Sequence, residues 1–257
     1  MGYELILVAR EPPIATITLN RPKVLNALSP ELMGEVSTAL TELEDDDEVR
    51  AVVLTGGERV FAAGADIADM AERTPVEQLL RDQTGRWSKL TSFTKPLIAA
   101  VNGYALGGGC EVALMCDLVV AGETARFGQP EVNLGIIPGG GGTQRWPRLA
   151  GKHVAMEMVL LGTQISAERA HELGLVNWVV PAEKSIDFAQ RIARRLAEKP
   201  PLAVRLGKES VNRALETTLA EGLAVERKNF YFLFASEDQK EGMRAFLEKR
   251  KGEFKGR

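Results

Sequence analysis

Short β-rich runs separated by helical stretches recur through the first 180 residues, and this alternation limits the chain more than any other feature. Residues 5–8 and 14–19 read as two strands parted by the hairpin signal Glu11-Pro12-Pro13, and Asn20-Arg21-Pro22 ends the second. Ser29 at the N-cap and Pro30 at the first helical position then start a helix whose Leu32, Val36, Ala39, Leu40 and Leu43 share one face. The acidic run 44–48 that follows reads as a solvated turn. Further strands are expected at 51–54, 96–101, 118–121 and 176–180, with helices at about 75–93, 111–115, 155–161 and 166–173. That order predicts an α/β fold in which one unit is stacked repeatedly.

After Lys199-Pro200-Pro201 no strand pattern remains, and helices are expected over 202–214, 219–234 and 237–249. The change predicts a core of residues 1–199 and a helical segment of residues 200–257. Phe230, Tyr231, Phe232 and Phe234 fall in one of these helices. Two readings stand for them: a helix anchored in its own core, or a subunit interface or acyl pocket.

Composition removes several function classes. Thirty-two basic against 35 acidic residues give a net charge of -3, so no broad positive field exists to hold a nucleic acid. Cys110 and Cys116 cannot build a disulfide framework and read as small buried hydrophobes of a reduced compartment. With His153 and His171 as the only histidines, no zinc or haem motif can be written, and no metal is expected. No apolar run reaches the length of a membrane span, and the first ten residues lack the features of a secretory leader. The expectation is a soluble cytoplasmic protein, or the mature form of an organellar-matrix one.

The 25 glycines are unevenly spread: 11 lie in the 40 residues from 103 to 142, where an even spread would put about 4. Gly107-Gly108-Gly109 stands directly before a helical run, so its N–H groups would lie at the positive end of a helix dipole, able to hold an anion or a developing oxyanion. Neither a Walker loop nor a dinucleotide-binding fingerprint can be read there. Gly139, Gly140, Gly141 and Gly142 before Thr143-Gln144 would begin a helix in the same manner, with no role assignable beyond shaping a loop. On glycines alone, an anion site and a set of tight turns both remain open. Glu111 sits among Gly109, Cys110, Val112, Ala113 and Leu114, a setting costly for a carboxylate unless it ends in a polar cavity. The other reading is a surface Glu in the first turn. Glu131, in Gly128-Gln129-Pro130-Glu131-Val132, has a similar setting, and two such carboxylates would supply an acid and a base. No Gly-x-Ser-x-Gly elbow is present.

Four stretches together resemble the enoyl-CoA hydratase/isomerase (crotonase) family. They are Asn20-Arg21-Pro22-Lys23-Val24-Leu25-Asn26-Ala27-Leu28, Phe61-Ala62-Ala63-Gly64-Ala65-Asp66-Ile67, Ala99-Ala100-Val101-Asn102-Gly103-Tyr104-Ala105-Leu106-Gly107-Gly108-Gly109-Cys110-Glu111, and Phe127-Gly128-Gln129-Pro130-Glu131 through Gly141-Gly142-Thr143-Gln144-Arg145. The resemblance runs over nearly the whole chain. It implies a crotonase-type spiral of repeated ββα units, a C-terminal helical trimerisation segment and a hexamer built as a dimer of trimers. By position, the oxyanion-hole N–H groups fall on Ala65 and Gly108, and the catalytic glutamates on Glu111 and Glu131. Lys23, Val24, Leu25, Ala63, Ala65, Asp66, Ile67 and Ala68 match contacts to CoA, while Phe230 and Lys249 match residues reaching a neighbouring subunit's CoA site. Residues 70–84 and the aromatic helix are expected along the acyl tunnel.

The implied reaction is hydration of a 2-trans-enoyl-CoA to the (3S)-3-hydroxyacyl-CoA, with Glu111 activating water and Glu131 delivering a proton to C2. An acyl-CoA thioester is then the binding partner, CoA is part of the substrate, no separate cofactor is required, and fatty-acid β-oxidation is the expected setting. Δ3-Δ2 enoyl-CoA isomerisation needs one base, so the pair of glutamates favours hydration. A branch of the family that binds AU-rich RNA uses a lysine-rich helix; the comparable stretch 82–95 has only Arg86, Lys89 and Lys95. A non-catalytic scaffold is disfavoured, because every catalytic position is filled.

Overall fold

The computed structural model describes residues 2–81 and 83–257, the side chains of 81–86 excepted. Met1 of the leader comparison, Asp82 of the expected tunnel stretch and the Arg86 side chain of the RNA comparison lie outside the described residues. Among the described residues nine strands form two sheets: β1 Ile6–Glu11, β2 Ile14–Leu19, β3 Ala51–Thr55, β4 Leu97–Val101, β5 Tyr104–Leu106, β6 Leu118–Gly122, β7 Arg126–Gly128, β8 Gln164–Ser166 and β9 Trp178–Val180. The larger sheet has the order β1-β2-β3-β4-β6-β9 and is parallel apart from the β1–β2 hairpin, in which Ile6 faces Leu19 and Glu11 faces Ile14. The smaller runs β5-β7-β8 and is extended by a parallel bridge from Ala62 to Ala105. Successive β-β pairs therefore give one strand to each sheet before a helix returns, as in β4-β5 and β6-β7.

The helices are α1 Pro30–Asp45, α2 Ile67–Met70, α3 Pro75–Arg81, α4 Gln83–Ser92, α5 Gly108–Met115, α6 Gly142–Ala150, α7 Lys152–Leu161, α8 Ala167–Glu172, α9 Ser185–Ala197, α10 Pro201–Ala214, α11 Leu219–Leu233 and α12 Glu237–Leu247. The Ser29 hydroxyl accepts from Leu32 N as expected of an N-cap, a contact worth about 1 kcal/mol. β3 and β4 are buried at every position, as a parallel sheet covered on both faces requires. Their side chains divide with a period of two. Ala51, Val53, Ile98 and Ala100 meet Ala189 and Ala193 of α9, while Val52, Leu54, Leu97, Ala99 and Val101 join the main core with Phe61, Phe93, Phe127 and Trp146.

The periodicity reading misses β5, β7, β8, the one-turn α2 and α9; its single helix at about 75–93 covers α3 and α4, and Asp82 between them lies outside the described residues. The acidic run is not simply solvated. Glu44 pairs with Lys89 and accepts from Thr94 N, and Asp46 pairs with Arg10. Among the described residues no strand follows β9. α10 packs on α11, and Lys208 of α10 donates to Asp117 (2.7 Å) and to Lys95 O (2.9 Å), tying the C-terminal helices to the core. The aromatic residues of α11 and the residue after it are not anchored in a core of their own: Phe230, Tyr231, Phe232 and Phe234 are 57, 63, 64 and 41% exposed within the chain. None of the helices, over the described residues, is long and apolar enough to cross a membrane.

Candidate active site

The site is assembled around the start of α5. After β5 the chain turns at Gly107, whose φ of +49° and ψ of -124° suit glycine, and α5 begins at Gly108. Gly108 is the first helical residue, so its N–H has no intrahelical acceptor. A Cβ on Gly109 would strike the Ala62 carbonyl, so only glycine lets α5 approach the bridging strand this closely. On that strand Leu28 N donates to Gly64 O (2.8 Å) and Asp66 N to Leu28 O (3.2 Å). Residue 65 therefore turns its own N–H to the opposite edge, toward α5. A Cβ built on Gly108 would lie 3.6 Å from Ala65 N. Among the described residues neither the Ala65 nor the Gly108 N–H donates to any acceptor.

Glu111 leaves the first turn of α5 and is 2% exposed. Its Oε1 accepts from Gly140 N (2.8 Å) and Gly142 N (2.7 Å), which settles the role that the second glycine cluster lacked at sequence level. Burial pushes the Glu111 carboxyl up, opposed by those two donors and by the charge of Arg145. Glu131 lies in a 3-10 turn, Pro130–Leu134, with Oε1 3.0 Å from where a Gly107 Cβ would sit. Its carboxyl is pushed up to about 7 by burial, against a hydrogen bond from its own backbone, and the neighbouring Glu111 charge adds to the rise.

The two carboxylates are linked through Gln129, which is fully buried. In the amide orientation that satisfies its neighbours, Gln129 donates to Glu131 Oε1 (2.9 Å) and Oε2 (3.1 Å) and accepts from Trp146 Nε1 (3.2 Å). The same amide lies against Gly142, one of the donors to Glu111. Trp87 of α4 closes the space between: its ring edge lies 2.9 Å from a Cβ built on Gly108 and also fills the Cβ position of Gly140, next to Glu111 Oε2. An alanine at either glycine would press on this indole.

Lys23, Val24 and Leu25 form an exposed turn that the structure brings against the 63–68 segment through Ala63 N to Leu25 O (3.0 Å). Asn26 fixes this turn: it is buried with φ +54°, and its Nδ2 donates to the carbonyls of Gly56, Val60 and Phe61. Arg21 pairs with Asp66 at 3.0 Å. Ile67 and Ala68, in α2, are exposed beside it. Phe230 and Lys249 lie apart, on α11 and after α12. Among the described residues no hydrogen bond or ion pair joins either to Glu111 or Glu131.

Residues 9–257 match the family model for enoyl-CoA hydratase/isomerase. The chain belongs to the enoyl-CoA hydratase/isomerase family. It is 50% identical over 257 residues to a probable enoyl-CoA hydratase of Rhizobium meliloti, covering both chains fully. To the 2,3-dehydroadipyl-CoA hydratase of Escherichia coli K12 it is 46% identical over 252 residues, 98% of this chain and 99% of that one. Among solved structures, a Geobacillus kaustophilus HTA426 protein described as "enoyl-CoA hydrates subunit I" superposes with a TM-score of 0.97 at 51% identity, over 99% of each chain. The α/β architecture is thus the crotonase fold of that family, and the chain is one of its enzymes. Within this enoyl-CoA hydratase/isomerase member, sequence reasoning missed three placing residues: Gln129, Arg145 and Trp87. The first two lie inside quoted motifs; nothing in the pattern singles out Trp87.

Proposed function

We propose that the chain hydrates 2-trans-enoyl-CoA thioesters to (3S)-3-hydroxyacyl-CoA by syn addition of water. The observation that carries this reading is the convergence of the buried Glu111 carboxyl and the half-buried Glu131 carboxyl beside two N–H groups, Ala65 and Gly108, that have no acceptor among the described residues. In such a site the thioester oxygen takes the two donors, where negative charge develops as water adds at C3. Loss of one such donor typically costs about 2.7 to 4 kcal/mol of transition-state stabilisation.

Glu111, with two N–H donors and Arg145 favouring its charged form, is the group suited to accept a proton from water. Glu131, held near neutrality by burial, is suited to give one to C2. The C3–O and C2–H bonds form as the C2=C3 π bond breaks, Glu111 gains a proton and Glu131 loses one, and exchange through solvent restores the pair. No electron transfer occurs, so the reaction calls for no redox cofactor, and CoA enters as part of the substrate. Lys23, Val24, Leu25, Ala63, Asp66, Ile67 and Ala68 are the surface on which the CoA moiety would lie. Phe230 and Lys249 would act from a neighbouring subunit of a trimer-based hexamer. Fatty-acid β-oxidation in the cytoplasm or an organellar matrix is the setting we assign.

The test is the ultraviolet absorbance of the conjugated thioester of crotonyl-CoA. Decay under catalytic enzyme, with 3-hydroxybutyryl-CoA as product, is expected. A stable absorbance under excess enzyme would remove the hydratase reading, and conversion of a 3-enoyl-CoA to a 2-enoyl-CoA without hydration would put isomerisation in its place.

A further inference from the structure

The Gly140–Gly142 loop reaches Glu111 because something holds it there. Gly140 is held at both ends: its N–H donates to Glu111 Oε1 and its carbonyl accepts from Arg145 Nη1 at 2.9 Å. Gly141 has φ +109°, and a Cβ on it would occupy the place of Arg145 Nη1. The guanidinium therefore crosses the loop through the space that glycine leaves. Arg145 is itself fixed from α6, where its N–H donates to Gly141 O at 2.8 Å. Its side chain is half-buried and its charge is felt at Glu111.

We propose that Arg145 is a positioning residue for Glu111: by clamping Gly140 O it aims two backbone N–H groups at one carboxylate oxygen, and it sets a fixed positive charge behind them. This rests on the reading of Glu111 as the group that activates water. A guanidinium suits the task because it stays charged and donates in a rigid plane, whereas a lysine supplies the charge without the fork. Among the described residues the ionisable groups facing Glu111 are few. Arg145 comes from α6, Glu131 from the 3-10 turn, and the Cys110 thiol from α5 itself. α4 presents the uncharged Trp87 ring, and β5 carries no side chain charged at neutral pH. Glu216 in turn faces Arg145. Removing the cation leaves the carboxylate less stable ionised, so the proton is retained to higher pH and activity is lost earlier on acidification.

The experiment follows crotonyl-CoA hydration from pH 5 to 9 by the parent, Arg145→Gln, Arg145→Lys and Glu111→Gln. For Arg145→Gln we expect kcat to fall about 10- to 100-fold, KM to stay within about two-fold, and the acid limb of kcat/KM to move up by about one on the pH scale. Arg145→Lys should return that limb to its parental place while recovering kcat only in part. It also serves if the glutamine variant does not fold. A parental limb in Arg145→Gln, or a limb in Arg145→Lys displaced as far as in Arg145→Gln, would overturn the proposal. Near-parental turnover in Glu111→Gln would instead overturn the role of Glu111 and leave the Arg145 contacts without a catalytic object.

Discussion

Burial holds the Glu131 carboxyl up to about 7 from 4.5, so near neutrality the folded chain keeps a proton that the unfolded chain has already released. The sign follows: stability from this proton is full below about 4.5 and is lost as pH rises through about 7. A glutamine cannot ionise, so Glu131→Gln should gain in melting temperature relative to the parent between pH 5 and pH 8. Calorimetry at the two pH values measures it, and equal differences at both would contradict the buried-acid description. Glutamine fits the place sterically, and the Gln129 amide that faces both Glu131 oxygens can turn to meet it. At Glu111 burial also pushes the carboxyl up, but there two backbone donors and the charge of Arg145 oppose it.

The elements differ in how plainly the sequence announces them. β2, β3, β4 and β6 fell where apolar runs placed them, and the Ser29-Pro30 start of α1 was legible because a cap is a local chemical requirement. β5, β7 and β8 were not, since three residues carry no measurable alternation and their pairing is set by partners tens of residues away. The glycine clusters divide in the same manner. The Gly107-Gly108-Gly109 run could be read as a helix start with free N–H groups, because helix ends are local, while Gly108 as an oxyanion donor is implied only by the family resemblance. Gly140 and Gly142 could not be assigned, because their acceptor, Glu111, lies 29 and 31 residues earlier and only the packing of α6 on α5 brings them together. Asn26 and Gln129 were readable as members of motifs, but their work consists of hydrogen bonds to distant loops.

At the scale of the whole molecule, the exposed Phe230, Tyr231, Phe232, Phe246 and Leu247 give the C-terminal helices an apolar surface that a single chain leaves in water. Assembly through these helices would cover it. Light scattering at micromolar concentration should therefore give a trimer or its multiple, and a monomer would count against the role of Phe230 and Lys249 in a neighbouring site. The proposed reaction depends on the pair of glutamates that the two sheets and α5 bring together. Its most direct measurement is the rate of absorbance loss from crotonyl-CoA for the parent, Glu111→Gln and Glu131→Gln, with CoA-thioester binding measured alongside. Each substitution should lower turnover by about two orders of magnitude or more while binding survives. Near-parental turnover in both variants would contradict it.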